Sequence, residues 1–341
     1  MKILCCGYGI KTIAKLHDEG RLPSNLLYGT VEMKNDGHDV EYFQLSRTGG
    51  IKGILGDVRS IFSHKHDLLF IPYIHNKSLY ILLFLKLIGL YRKCVFGVLH
   101  MTPDRPNWLY RRILRTINHT FFHSEKNRQE CVSLGCTRET ASSVIHWGVQ
   151  LDYYDRLQAA ATVEFISTGM ENRDFPTLLK AFTSTSETLS VYVPEKYKDT
   201  AEMKPFGENL AKNIRLEFVH QTDDTIRELA AIAKGSFAFV IPVQKDALHY
   251  CVGHTSMVEA LAMGKPMIVV KNPYHPIDVE REKVGLTYEA GNPDSLKKAI
   301  EWLAEHKEEA DAMGKRARRL AETTYNIKSC AKQIEQVIAT L

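Results

Sequence analysis

Tyr250-Cys251-Val252-Gly253-His254-Thr255-Ser256-Met257-Val258-Glu259-Ala260-Leu261-Ala262-Met263-Gly264-Lys265-Pro266 is the stretch on which the fold reading turns. An apolar run precedes it, Phe237-Ala238-Phe239-Val240-Ile241-Pro242, and another follows, Met267-Ile268-Val269-Val270. The middle predicts a helix over 256–263, stopped by Gly264 and Pro266. Apolar run, loop, helix and apolar run make the repeating unit of a parallel sheet with crossover helices. Gly253 lets a ligand come close to the backbone. Free amides at the start of a helix, with the helix dipole behind them, suit a phosphate, and the Thr255 and Ser256 hydroxyls add donors. Glu259 is the odd residue. Met257, Val258, Ala260, Leu261, Ala262 and Met263 are apolar on every side of it, so the helix is expected to be buried and its carboxylate to need partners. Two readings stand. Ser256-x-x-Glu259 has the spacing of a capping box, in which Glu259 bonds back to the helix start. Alternatively, the carboxylate accepts hydrogen bonds from a ribose diol.

The same rhythm extends in both directions. Upstream, strands are expected at 163–169, 189–193 and 214–219, and helices at 178–182 and 224–234. A charged helix over 293–306 follows downstream. The first part of the chain shows an independent series of strands at 3–6, 39–43, 67–72, 94–99, 120–124 and 143–146, with helices at 10–19 and 77–88. The helix over 77–88 reads as buried with charged ends. Between the two series, 150–162 with its Ala159-Ala160-Ala161 reads as a linker. The expected organisation is a Rossmann-like domain over 1–150, a second over 151–325, and a terminal helix over 326–341 packing back on the first.

Composition supports this and excludes other classes. The chain has 341 residues, 44% hydrophobic and 25% charged, enough for two cores of ordinary size. Net charge is +4. It is uneven, because residues 1–150 carry 20 Lys and Arg against 12 Asp and Glu. A basic first half suggests an anionic partner there. The basic residues form no single dense run, so nucleic acid is not expected. Seven cysteines show no metal-ribbon or redox spacing and read as buried thiols. The start, Met1-Lys2-Ile3-Leu4, lacks the form of a signal peptide, and no apolar stretch is long enough to cross a membrane. A cytoplasmic location is therefore expected. Trp108-Leu109-Tyr110-Arg111-Arg112-Ile113-Leu114-Arg115 is basic, aromatic and helical in period. It is either a helix on the sheet with its arginines in water or a contact for the inner face of an anionic membrane.

The run from Gly253 to Val269 resembles the donor-site signature of retaining, family-4 glycosyltransferases of the GT-B type. Its flanks are similar too: the strand 237–242, Gly285-Leu286, Gly291-Asn292-Pro293-Asp294-Ser295-Leu296, and Met313-Gly314-Lys315-Arg316-Ala317-Arg318. The resemblance is specific over 236–325, moderate over 163–235 and 95–155, and weak before that. It implies a GT-B fold, α/β, with two Rossmann-like doubly wound domains facing a central cleft. It implies glycosyl transfer from a nucleotide-sugar such as a UDP- or GDP-sugar to a hydroxyl on a glycan or lipid-linked glycan, with retention and without a metal or cofactor. Glu259 is implied to grip the nucleotide ribose, and Gly253, His254, Thr255 and Ser256 to hold the diphosphate. Gly169 and Lys245 are placed with them on the donor side. The loop Ser167-Thr168-Gly169-Met170-Glu171-Asn172-Arg173-Asp174-Phe175 resembles the family's phosphate loop, with Arg173 as its one clear cation. A guanidinium suits a diphosphate because it donates in a fork. His100, at a strand end, is implied to face the donor sugar. Cys251 stands where the family has a glutamate that touches that sugar, so the sugar contact differs here.

Gly7-Tyr8-Gly9 is glycine-rich but falls short of a dinucleotide fingerprint, and it is placed on the acceptor side. His123, His146 and Trp147 fall at later strand ends of the same domain. Two rivals remain at this level: a nucleotide-sugar epimerase of the same architecture, and a non-catalytic sugar-nucleotide-binding protein.

Overall fold

The computed structural model describes residues 1–46, 50–74, 77–160, 163–169, 171–201, 203–208 and 210–341. It divides into two compact units, Met1–Trp147 with Ile327–Leu341, and Gly148–Asn326.

In the first unit the strands are β1 (Lys2–Gly7), β2 (Asp39–Gln44), β3 (Leu68–Ile71), β4 (Cys94–Val98), β5 (His119–Phe122) and β6 (Ser142–Val144). Its helices are α1 (Ile10–Asp18), α2 (Thr30–Asn35), α3 (Ile51–Ser63), α4 (Lys77–Leu87), α5 (Trp108–Leu114) and α6 (Glu125–Ser133). The sheet order is β2-β1-β3-β4-β5-β6, with every pairing parallel. Leu68, Leu69, Phe70 and Ile71 are all buried, as a strand covered on both faces requires.

The second unit runs α7 (Leu151–Arg156), β7 (Val163–Ser167), α8 (Phe175–Thr183), β8 (Leu189–Pro194), α9 (Lys204–Glu208), β9 (Ile214–Val219), α10 (Thr225–Lys234) and β10 (Ser236–Ile241). It continues with α11 (His254–Ala262), β11 (Met267–Val270), β12 (Gly285–Tyr288), α12 (Pro293–Glu305) and α13 (Lys307–Thr323). Its sheet order is β12-β11-β10-β7-β8-β9, again wholly parallel. The last helix, α14 (Ile327–Ile338), belongs to the first unit, where it packs on α2.

The second sheet has its topological switch between β7 and β10. The chain winds outward from β7 through β8 to β9, then returns to the other side of β7 with β10. At such a point the loops leaving two adjacent strands diverge and open a crevice at the carboxyl ends of the sheet. The two loops that do so carry Gly169 to Arg173 after β7 and Gly253 before α11.

Three sequence expectations change. The expected linker contains a helix, α7; its last residues, 161 and 162, lie outside the described residues. Met170 of the expected phosphate loop lies outside them too. Second, α4 is not buried all round, because Ile81 and Phe84 face solvent. Third, α11 starts at His254, earlier than expected, and this removes the capping-box reading of Glu259.

Candidate donor site in the second unit

Gly253 is the residue before α11, and its φ is 88°. That left-handed conformation turns the chain sharply into the helix and is cheap only for glycine. A Cβ there would also lie 2.8 Å from Ile241 Cγ2 at the end of β10. The helix therefore begins close against the strand end, with its first amides at the switch point. His254 and Ser256 are buried and Thr255 is exposed. With Gly253 as N-cap, Ser256 is the third helical residue and Glu259 the sixth, too far along to bond back. The capping box does not form. Instead the Ser256 Oγ accepts from Arg173 Nη2 at 3.2 Å, and Glu259 finds its partner on α7.

Arg173 precedes α8, whose N-cap is Asp174, accepting from the Thr177 amide at 3.0 Å. Its side chain turns back beneath its own loop and is only 6% exposed. Nη1 donates to the Glu171 carbonyl at 3.2 Å, and Nε is buried with no hydrogen-bond partner. Among the described residues no carboxylate pairs with this guanidinium. Burial pulls its pKa down to about 10, with Tyr288 and Glu259 pulling weakly the other way, so it stays charged at neutral pH. Gly169 makes the fold-back possible, since a Cβ there would fall 1.8 Å from Arg173 Nε. Asn172 has a φ of 51°. It locks the loop to the neighbouring one through its side-chain nitrogen to the Tyr250 hydroxyl, 2.6 Å, and its carbonyl to the Gln244 amide, 3.0 Å.

Glu259 is half-buried on α11 and accepts from the Tyr154 hydroxyl at 3.2 Å. Burial lifts its carboxyl to about 7, with the Tyr154 hydrogen bond and the Arg173 charge opposing the rise. Tyr154 is held in place from several sides. Lys234 Nζ donates to the Tyr154 and Asp155 carbonyls at 2.8 and 2.9 Å. Arg318 on α13 bridges the Asp155 carboxylate at 2.6 Å and the Ala262 carbonyl at 2.8 Å, tying α7 to the end of α11. Sequence reasoning missed Tyr154. It sits in a short helix with no apolar period, and nothing in spacing links it to a residue so far along the chain. His275 was missed as well: its Nε2 lies 3.2 Å from the Val252 carbonyl, and burial, with the Arg173 charge adding to it, holds its pKa at about 4. It is neutral at physiological pH. Cys251 is buried, and burial pushes its thiol up to about 12, so no negative charge stands at that position.

Of the expected donor residues, Gly169, Arg173, Gly253 and Ser256 come together, with Glu259 one turn further along α11. Lys245 is exposed on the single turn Lys245–Ala247, next to Gln244, whose amide donates to the Asn172 carbonyl. The remaining expected residues lie in the first unit. His100 follows β4, its Nε2 3.0 Å from the Pro72 carbonyl and 3.4 Å from the Tyr28 hydroxyl. The carbonyl can only accept, so Nε2 carries the ring proton. Its ring centroid is 4.6 Å from that of Tyr73 and 4.8 Å from that of His123. Gly7 ends β1, Tyr8 is 46% exposed, and Gly9 turns into α1 with a φ of 65°. Trp147 donates from Nε1 to the Asn25 carbonyl at 2.9 Å.

Residues 174–320 match the model of the family glycosyl transferases group 1. The matched stretch begins just after Arg173 and contains α11 and Glu259. No curated protein sequence matches the chain significantly. Among solved structures, the chain is similar to Alr3699/HepE from Anabaena in complex with UDP, at 14% identity and a TM-score of 0.66, covering 100% of both chains. A glycosyltransferase from Rickettsia africae aligns at 13% identity and a TM-score of 0.70, covering 98% of this chain and 97% of the other. WaaG, a glycosyltransferase of lipopolysaccharide biosynthesis, aligns at 11% identity and a TM-score of 0.63, covering 98% and 99%.

Proposed function

We propose, from the match of residues 174–320 to glycosyl transferases group 1 and from the GT-B fold that the chain shares with solved glycosyltransferases, that it transfers a sugar from a nucleoside-diphosphate sugar to a hydroxyl of a glycan or lipid-linked glycan, with retention and without a metal. The observation that carries the reading is Arg173, a buried guanidinium with no carboxylate in ion-pair contact and an unsatisfied Nε, beside the start of α11. A buried cation with no carboxylate in direct ion-pair contact is costly. A diphosphate supplies that charge and accepts in a fork.

In this reading the second unit binds the donor. The diphosphate lies on Arg173 and the amides of α11, and the nucleotide ribose on Glu259. The bond from the anomeric carbon to the diphosphate oxygen breaks while the acceptor oxygen bonds to that carbon. The departing phosphate takes the acceptor's proton. Arg173 and the helix start stabilise the charge that grows on the leaving oxygen. UDP and GDP are the candidate carriers; the UDP complex of Alr3699/HepE favours the first. His100 is proposed to serve the sugar, Gly7, Tyr8 and Gly9 the acceptor side, and the inner face of an anionic membrane to be the setting.

Calorimetric titration of the purified chain with UDP, GDP and their glucose conjugates tests the donor assignment. Micromolar to submillimolar binding of one nucleotide is expected. Arg173→Ala should lower its affinity about 10- to 100-fold, as for losing hydrogen bonds to a charged group. Absence of heat with every nucleotide at millimolar concentration removes the proposal, and wild-type affinity in Arg173→Ala removes Arg173 from it.

A further inference from the structure

Three consecutive helices, α3, α4 and α5, cover one side of the first sheet. Val58 and Ile61 of α3, Leu79 and Leu82 of α4, and Leu114 of α5 enter one apolar core with the strands, and α4 packs against both neighbours. Their outer sides therefore form a continuous face. Large apolar side chains stand on it: Ile51 and Phe62 on α3, Phe84 on α4, Ile88 just beyond it, and Trp108 on α5. Ile51 is 77% exposed and Trp108 71%. Scattered exposed apolar residues are ordinary on a soluble protein. A cluster on adjoining elements marks an interaction surface.

Charge identifies the partner. Residues 50–66, 77–93 and 107–118 contain ten Lys and Arg and a single acidic residue, Asp57. Asp57 is buried at 4%, accepting from the Ser46 and Ser78 hydroxyls, and offers no charge to the face. Lys52, Arg59, Lys77, Arg112 and Arg115 are exposed around the apolar positions. A second copy of the chain would set like charge against like. An anionic bilayer accommodates both features, because its headgroups attract lysine and arginine and its acyl boundary takes aromatic and aliphatic side chains.

We propose that the outer face of α3, α4 and α5 docks on an anionic lipid bilayer, with Phe62, Phe84 and Trp108 reaching the acyl boundary and the surrounding cations on the lipid phosphates. This gives a place on the molecule to the membrane setting proposed above, and it extends well beyond the Trp108 segment visible in the sequence. It rests on the first unit alone and not on the nucleotide assignment.

Co-sedimentation of the full chain with vesicles tests it, comparing phosphatidylcholine alone with phosphatidylcholine mixed with phosphatidylglycerol. Binding to the mixed vesicles only is expected, weakening as salt is raised. Phe84→Ser with Trp108→Ser, and separately Arg112→Glu with Arg115→Glu, should each weaken binding about tenfold or more. All four side chains are exposed, so melting temperature and nucleotide affinity should not change, and that separates this proposal's failure from the donor site's. Equal binding to both vesicle types, no binding to mixed vesicles at low salt, or wild-type binding by both variants overturns it. A dimer in solution that the Phe84→Ser/Trp108→Ser variant abolishes assigns the face to a second copy and overturns it equally.

Discussion

Arg173 and Glu259 carry opposite burdens. Each is a charge removed from water with too few partners, and each is less stable folded than it would be in a solvated chain. Glu259 makes the argument testable by pH. Burial raises its carboxyl to about 7, above the ordinary carboxylate range near 4. The folded protein therefore holds this proton more tightly than the unfolded chain. Ionisation costs stability over the window from about 4 to 7, and the cost is fully present above 7. Nucleotide-free protein should gain stability as pH falls through that window, and Glu259→Gln should remove this component. A ribose diol donates hydrogen bonds, so the bound nucleotide should favour the ionised form and expel the proton. Calorimetry at pH 6.5 in two buffers of different ionisation enthalpy should then show proton release in the wild type and much less in Glu259→Gln. Equal proton release in both would remove Glu259 from the ribose contact. Glu259 itself was legible, because a lone carboxylate in an all-apolar helix is conspicuous. That it does not cap the helix was not. That depended on the helix starting at His254, and on Tyr154, whose position no local pattern announces.

Among elements, the strands were read best. A strand covered on both faces must be an apolar run, and short runs such as Leu68 to Ile71 or Met267 to Val270 leave little alternative. Helices were read less well where glycine or surface exposure disturbs their period. Gly53 and Gly56 hide α3, and the nearly uniform apolar character of α4 concealed its exposed stripe of Ile81 and Phe84. The junction from β10 into α11 shows how one residue sets an element's start. Alanine at Gly253 would meet two penalties, the left-handed φ of 88° and a contact of 2.8 Å with Ile241 Cγ2. Gly37 is a control: its φ is 96°, but no atom lies within 4 Å of the added Cβ. Gly37→Ala should cost about 1–2 kcal/mol of conformational strain and leave nucleotide affinity alone. Gly253→Ala should cost more, about 2–4 kcal/mol with the crowding included, and weaken nucleotide binding because the first amides of α11 must move. Thermal melting with calorimetry on both variants decides it. Wild-type nucleotide affinity in Gly253→Ala would show that those amides do not face the ligand.

At the scale of the whole molecule, two series of alternating strands and helices gave the two sheets. No helix among the described residues is long and apolar enough to cross a membrane. The terminal helix α14 joins the two ends of the first unit. Ile327, Cys330, Ala331, Ile334 and Ile338 are buried on its inner side, and Gly29 comes so close that an added Cβ would lie 3.1 Å from Ala331. Gln333 Oε1 accepts from the His146 amide at 3.1 Å, and Glu335 lies 3.6 Å from His38 at the rim. Three buried isoleucines are worth roughly 5–9 kcal/mol, which is comparable with the whole net stability of a domain. The helix is thus part of what holds the first unit folded. Deleting it outright would unfold too much to be informative, so a single cavity is the better probe. Ile334→Ala should cost about 2–5 kcal/mol and accelerate hydrogen exchange in α2 together with α14, because neither helix buries its apolar side without the other. Exchange that quickens in α14 while α2 stays protected would mean that the terminal helix decorates the unit and does not hold it.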